Sequence, residues 1–274
     1  MSKSRSTTGK NELRDFLDRQ PQTTSMELLI ADINGVLRSK RIQQKEFAAT
    51  FNNGFCMPGG TVLLDTLGNT IPGICFSSDD GDPDIRAEVV AGSLVPLPWS
   101  NRPSAQALFR FRGADGTGFF ADPRSVLERA LLPLQRLNLR VVMATELEFY
   151  LLEANADKPT ARVSRVPGIG RPQPGPQVYY PDDLHDVEQF LDELHDVCEL
   201  QNIPAGTTTS EFAPGQFEIN LHHVDDPVLA CDHAVLLKRA VKAVARKHGY
   251  VACFMAKPFE DDSGSGLHVH MSLV

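Results

Sequence analysis

No apolar run in this chain approaches the roughly 20 residues needed to cross a bilayer. The opening stretch MSKSRSTTGKNELRDFL lacks the apolar core of a secretory leader. Cysteines in C-x-x-C spacing are also missing. The five present (Cys56, Cys75, Cys198, Cys231 and Cys253) are odd in number and scattered, which argues against a disulfide framework or a zinc knuckle and for a reducing, cytoplasmic compartment. Basic charge is scarce: 27 Lys and Arg against 35 Asp and Glu leave a net charge of -8, so the surface does not suit nucleic acid. No internal repeat is visible. What remains is ordinary for a globular protein, with 42% hydrophobic and 23% charged residues over 274 positions. That length can bury a sizeable core as one large domain or two smaller ones.

The chain changes texture near its middle. A short amphipathic helix is expected near Asn11 to Arg19. In MELLIADINGVLRSKRI, two apolar runs flank Asn34-Gly35, a strong hairpin signal. TVLLDTLGN and IPGICFSS read as further short strands, followed by the acidic loop SDDGDPD (Ser78 to Asp84). These residues describe a small sheet-rich domain. From Asp122, DPRSVLERALLPLQRLNLR reads as a helix and RVVMATELEFYLLE as a strand. Residues 154 to 178 carry five prolines and three glycines without periodicity and read as a long loop. PDDLHDVEQFLDELHDVCEL is an amphipathic helix, with Leu184, Val187, Leu191, Leu194 and Val197 on one face. DHAVLLKRAVKAVARKHG is another helix, stopped at Gly249, and YVACFMAKP is a strand.

Three places put acids or imidazoles where a fold gains nothing from them. In ATELEFY, Glu146 and Glu148 are two apart on an apolar strand and so share a face, where like charges repel; a solvated outer face is the plain alternative. In SEFAPGQFEINL, Pro214-Gly215 marks a turn. A two-residue hairpin there would set Ala213 against Gln216, Phe212 against Phe217 and Glu211 against Glu218. Opposed carboxylates destabilise a ladder unless a cation neutralises them. The flanking Phe212, Phe217 and Ile219 suggest that this hairpin is packed. In SGSGLHVHMSLV, His268 and His270 project to one face. Four glutamates and one imidazole, with no cysteine, favour Mg²⁺ or Mn²⁺ over zinc, and hard cations in a strand-lined site suit phosphoryl chemistry.

In this order, ELEFY (146–150), EFAPGQFEINL (211–221), FMAKPF (254–259) and SGSGLHVHMSL (263–273) resemble the glutamine synthetase family. DINGVLRSKRI (32–42) is similar to that family's N-terminal β-grasp domain. Within the family, the stretch AGTTTSEFAPGQFE looks most like the γ-glutamylpolyamine synthetase branch. The resemblance implies an α+β fold. After an N-terminal tail and helix (1–25) come a β-grasp domain (26–118) and an incomplete catalytic domain, an antiparallel sheet with packed helices (119–274).

It further implies an ATP-dependent ligase that joins the γ-carboxylate of glutamate to ammonia or an amine, a polyamine in this branch, through a γ-glutamyl phosphate. Glu148, Glu211 and Glu218 match the ligands of one Mg²⁺ or Mn²⁺, and Glu146 and His268 match two ligands of a second. His270 and Ser272 match contacts to the phosphates of ATP, and Gly264 matches a backbone contact to glutamate. Family sites are shared between subunits of a homo-oligomer. The acidic loop, through Asp82 or Asp84, would meet the amine in a neighbouring subunit.

Family members continue past HVHMSL. The chain therefore reads as a fragment, as a truncated inactive product, or as one half of a two-chain enzyme. Two other functions stay open: a non-catalytic member that binds metal or co-assembles with full-length subunits, and a metal hydrolase built on Glu and His ligands. If the hairpin acids hold a cation, Glu211→Ala weakens Mn²⁺ binding far more than Glu153→Ala does. Equal effects in a calorimetric titration would remove the hairpin from the site.

Overall fold

A computed structural model of the chain describes residues 4–154, 157–162 and 177–274. The chain divides into two compact units, Met1–Arg136 and Leu137–Val274. The architecture is mixed α and β, and no helix among the described residues is long and apolar enough to cross a membrane. All five cysteines are free thiols. Within the long loop expected at 154 to 178, residues 155–156 and 163–176 lie outside the described residues.

The first unit opens with helix α1 (Ser4–Arg19), longer than the expected Asn11–Arg19. Its strands are β1 (Ser25–Ala31), β2 (Leu37–Gln43), β3 (Phe55–Pro58), β4 (Asp84–Val89), β5 (Val95–Pro96) and β6 (Ser104–Arg112); its other helices are α2 (Phe47–Asn53) and α3 (Pro123–Arg136). The sheet runs β2-β1-β6-β4-β3, with β5 against β6. Only the β1–β6 pairing is parallel. Met26, Leu28 and Ile30 alternate on β1 and bury against Phe47, Phe51, Phe109, Phe111 and Phe119.

The Asn34-Gly35 hairpin forms, with a three-residue connection closed by the Asp32 N–H to Val36 O bond (2.9 Å) and Gly35 at φ +68°. Asp32 is the turn's anchor and is 1% exposed. Its carboxylate accepts from the Asn34 and Val36 amides at 2.9 Å each and from the Arg38 guanidinium at 2.8 and 3.0 Å.

Two expected strands are absent. TVLLDTLGN instead begins in a 3₁₀ turn, Gly59–Val62, and then folds around Asp65, whose side chain accepts from the Leu67 and Asn69 amides. IPGICFSS is bent, with Gly73 and Phe76 both at positive φ. Local side-chain-to-backbone bonds here outcompete a ladder. The acidic loop leads directly into β4, which pairs with β3 and β6.

The second unit contains β7 (Val141–Glu153), α4 (Pro181–His185), α5 (Glu188–Leu200), β8 (Ala205–Ser210), β9 (Gln216–Leu221), α6 (Pro227–Lys247), β10 (Tyr250–Cys253) and β11 (Leu267–Leu273). The single helix expected over 181–200 is two, because Val187 at φ -122° leaves the helical region. Val187, Leu191, Leu194 and Val197 are buried as expected, while Leu184 is half-buried. YVACFMAKP is a strand only through Cys253.

The long strand β7 organises the sheet. It pairs antiparallel with β9 on one side, and with β10 and then β11 in succession on the other. One face of β7 and β9 is apolar, with Leu147, Phe149, Leu151, Phe217 and Ile219 all buried. Helix α6 packs on β7 and β10, capped by Asp226, whose side chain accepts from the Val228 and Leu229 amides, and stopped by Gly249 at φ +77°. Phe149 stacks on Phe254 at 5.3 Å, under the Lys238 and Lys242 ammonium groups.

The Asp32 anchor generates a stability prediction. Asp32→Ala strands the Arg38 guanidinium and two turn amides and is expected to destabilise the chain by about 3 kcal/mol. Urea unfolding checks this, and a loss below ~1 kcal/mol would show that the turn holds without the anchor.

Candidate functional site

Strand alternation builds the site. The face of β7 opposite its apolar side presents Glu146, Glu148 and Tyr150, and their partners on β9 are Asn220, Glu218 and Gln216. On the other side of β7, His268 stands directly across from Glu146 and His270 across from Ala144. Glu146 therefore has a polar partner on each neighbouring strand. The Asn220 amide donates to Oε1 at 2.6 Å, His268 Nδ1 lies 2.9 Å from Oε2, and His270 Nε2 lies 3.2 Å from Oε1.

The expected opposition of Glu211 and Glu218 does not occur. Residue 218 pairs with Thr209, and Ser210 with Phe217. The turn Ala213–Gln216 does form at Pro214-Gly215, with Gly215 at φ +74°, but the Glu211 amide bonds Gln216 O, giving a four-residue connection. This slips the ladder by two residues. A two-residue slip preserves the face of every side chain, so Glu211 still bears electrostatically on Glu218. Thr209 Oγ1 donates to Glu211 at 3.1 Å. Of the aromatic flank expected to pack this hairpin, Phe217 is buried and Phe212 is exposed.

Among the described residues, Glu146, Glu218 and His268 form a cluster whose ligand atoms all lie within 4.8 Å of one another. Glu148 is opposite Glu218 on the ladder and its charge acts on Glu211. The electrostatics show a shared deficit of positive charge. Burial first, then the charges of Glu146, Glu211 and Glu148, push the Glu218 carboxyl above the ordinary carboxylate range. Burial and Glu148 raise Glu211 as well, against the Thr209 bond. Burial also opposes ionisation of Glu146, but bonds to His270, His268 and Asn220 outweigh it and lower this carboxyl. The Glu146 bond raises His268. Oxygen donors with one imidazole, mutually repelling and half-buried, fit a hard divalent cation.

The approach of the chain at Gly266 is close. A Cβ there would come within 2.9 Å of Glu148 Oε1 and 3.1 Å of His268 Nε2, so only glycine leaves both atoms in place. At Gly264 a Cβ would meet Ala256 O at 2.7 Å. Ser272 is exposed on β11, two residues past His270 on the same face. Asp82 and Asp84 both belong to the first unit. Asp82, at φ +44°, accepts the Gly60 amide at 2.8 Å, while Asp84 begins β4 opposite Pro58.

Sequence reasoning missed Asn220, Gln216 and His223, whose ring lies 6.3 Å from that of His270. The first two were readable from Gln216-x-Glu218-x-Asn220, a polar alternation along one strand face.

This geometry is that of a known class. Residues 120–274 match the family of the glutamine synthetase catalytic domain, and the chain belongs to that family. Two of its curated relatives are gamma-glutamylputrescine synthetase PuuA of Escherichia coli (strain K12), 37% identical over 96% of this chain and 56% of that protein, and glutamate–isopropylamine ligase of a Pseudomonas species, 31% identical over 96% and 56%. A glutamine synthetase of Pyrococcus horikoshii is 28% identical over 90% and 50%. The chain thus spans about half the length of the curated relatives it matches. The fold is shared with the solved GmaS/ADP complex (TM-score 0.78, 24% identity, 95% of this chain and 55% of that one) and with Plasmodium falciparum glutamine synthetase (TM-score 0.77, 18%, 97% and 54%).

The raised Glu218 carboxyl sets a pH dependence. A carboxyl whose folded-state value exceeds its unfolded value binds more protons when folded, so its contribution to stability falls as pH rises through the window above 4.5. Glu218→Gln removes that loss. It is expected to raise the metal-free melting temperature at pH 8 by about 2 °C, ~1 kcal/mol, with the gain vanishing below pH 4.5, and to abolish stabilisation by Mn²⁺. A variant that melts lower than the parent at pH 8 would contradict the repulsion.

Proposed function

We propose that the chain carries the metal- and ATP-binding sheet of an ATP-dependent ligase that joins the γ-carboxylate of glutamate to an amine, of the polyamine type, through a γ-glutamyl phosphate. The observation that carries this reading is the cross-strand ring of Glu146, Glu218 and His268, with Glu148 and Glu211 on the same face. Both named relatives above 30% identity carry an organic amine in their names, which supports an amine over ammonia.

In this reading, Glu148, Glu211 and Glu218 hold one Mg²⁺ or Mn²⁺, and Glu146 and His268 contribute to a second. Cations bound there would supply Lewis acidity, neutralising phosphoryl oxygens while the γ-phosphoryl group passes from ATP to the γ-carboxylate and ADP leaves. The chain's own residues prepare that event. Asn220 fixes the Glu146 carboxylate, and the histidine bonds keep it ionised. His270 and Ser272 face the nucleotide phosphates, and the Gly264 backbone receives glutamate. Of Asp82 and Asp84, the first already commits an oxygen to the Gly60 amide, so Asp84 is the better candidate to orient and deprotonate the amine. The first unit, with its parallel β1–β6 pair, is read as the β-grasp domain that completes a neighbour's site in a cytoplasmic homo-oligomer.

The test is ATP-dependent phosphate release with Mg²⁺, glutamate and a panel of ammonia, putrescine, spermidine and ethanolamine, beside Mn²⁺ titration by electron paramagnetic resonance. Expected are Mn²⁺ binding that His268→Ala weakens about tenfold or more, and phosphate release that requires glutamate and an amine together. Release that ignores glutamate would establish a metal hydrolase instead. Mn²⁺ binding with no release from a folded sample would leave a metal-binding, co-assembling member of the family.

A further inference from the structure

Between β10 and β11 the chain leaves the sheet as the loop Phe254–Gly266, and three of its carbonyls are recaptured by the sheet. The Tyr150 hydroxyl donates to Ser263 O at 2.5 Å, the Gln216 amide to Gly264 O at 2.9 Å, and the Glu148 backbone N–H to Gly266 O at 3.1 Å. Tyr150 and Gln216 are cross-strand partners, so the two members of one rung grip two adjacent loop residues.

Gln216 does more than hold the loop. Its Nε2 also donates to Glu148 Oε2 at 2.8 Å, and its Oε1 accepts from the Ala213 amide at 3.2 Å. Its backbone carbonyl accepts from the Glu211 amide at 2.8 Å. The side chain is 2% exposed. One buried amide therefore joins the Glu148 carboxylate, the turn that follows Glu211, and the carbonyl of Gly264. No other neutral side chain offers two donors and an acceptor in that shape; only asparagine shares the groups, and it is one methylene too short.

We propose that Gln216 is a positioning residue that couples cation binding at Glu148 to the order of the Ser263–Gly266 loop, with Tyr150 as a second, cation-independent anchor. This rests on reading the carboxylate face as a cation site and Gly264 as the glutamate contact. A cation on Glu148 fixes the carboxylate, the fixed carboxylate fixes the amide, and the amide fixes Gly264. Cation and glutamate then favour each other's binding by equal factors.

The test is hydrogen–deuterium exchange of the loop in the full chain, with and without saturating Mn²⁺ and with no glutamate present. In the parent, Mn²⁺ is expected to slow exchange across the loop. Gln216→Met keeps the volume but removes the amide. It is expected to bind Mn²⁺ roughly ten- to a hundredfold more weakly and, at saturation, to show no Mn²⁺-dependent slowing. Gln216→Asn, whose amide is one methylene too short to span Glu148 and Gly264, serves if the methionine variant fails to fold, with the same loss of slowing expected. Tyr150→Phe should speed loop exchange overall while leaving the Mn²⁺ affinity and the Mn²⁺-dependent slowing intact.

A Gln216 variant with the parent's slowing at saturation overturns the coupling. So does a parent that binds Mn²⁺ without slowing, an outcome that leaves the cation site standing. A parent that binds no Mn²⁺ overturns both.

Discussion

Four glutamates on one sheet face repel one another, and the fold of the second unit is arranged to hold them there. Their strands stay together because the reverse face is an apolar layer of Leu147, Phe149, Phe217 and Ile219, each buried. Fully burying a side chain of this kind is worth roughly 1.5–3 kcal/mol, enough to offset partly screened repulsion between half-buried carboxylates. The result is a sheet face whose carboxylates lack enough neighbouring positive charge, a pattern that clusters at functional sites.

The burden is not shared evenly among the acids. Glu146 is held by Asn220 and two histidines and is eased toward ionisation, whereas burial first, and then neighbouring carboxylates, push Glu218 and Glu211 toward protonation. The same chemical group thus has two characters within one cluster, set by which strand lies beside it. Of the neutral amides on β9, Asn220 bonds Glu146 directly across from it, and Gln216, across from Tyr150, bonds Glu148 on the diagonal.

Much of this was legible from sequence because it follows from period-two alternation. Glu146 with Glu148, and His268 with His270, share a face on any strand. The Asn34-Gly35 hairpin was legible through its turn residues, and α6 through its Gly249 stop, although its Asp226 cap starts the helix at Pro227, ahead of the expected Asp232. The register of the Glu211 hairpin was not, since Pro214-Gly215 marks the turn but does not count the residues in the connection. TVLLDTLGN and IPGICFSS look like strands by composition, yet Asp65 and the positive-φ residues Gly73 and Phe76 settle them as turns. The roles of Gln216 and Asn220 depend on partners 48 to 74 residues away, which no local pattern contains.

The succession of β10 and β11 along one edge of β7 has a bearing on how this architecture can diverge. Because the two strands dock independently, a residue gained or lost among Pro258 to Asp262 alters the loop's span and leaves both registers intact. The same change inside β7 would turn every later side chain to the opposite face and scatter the carboxylates. Insertion and deletion are therefore tolerated next to the site and forbidden within it, which lets the loop vary in length while the carboxylate face stays fixed.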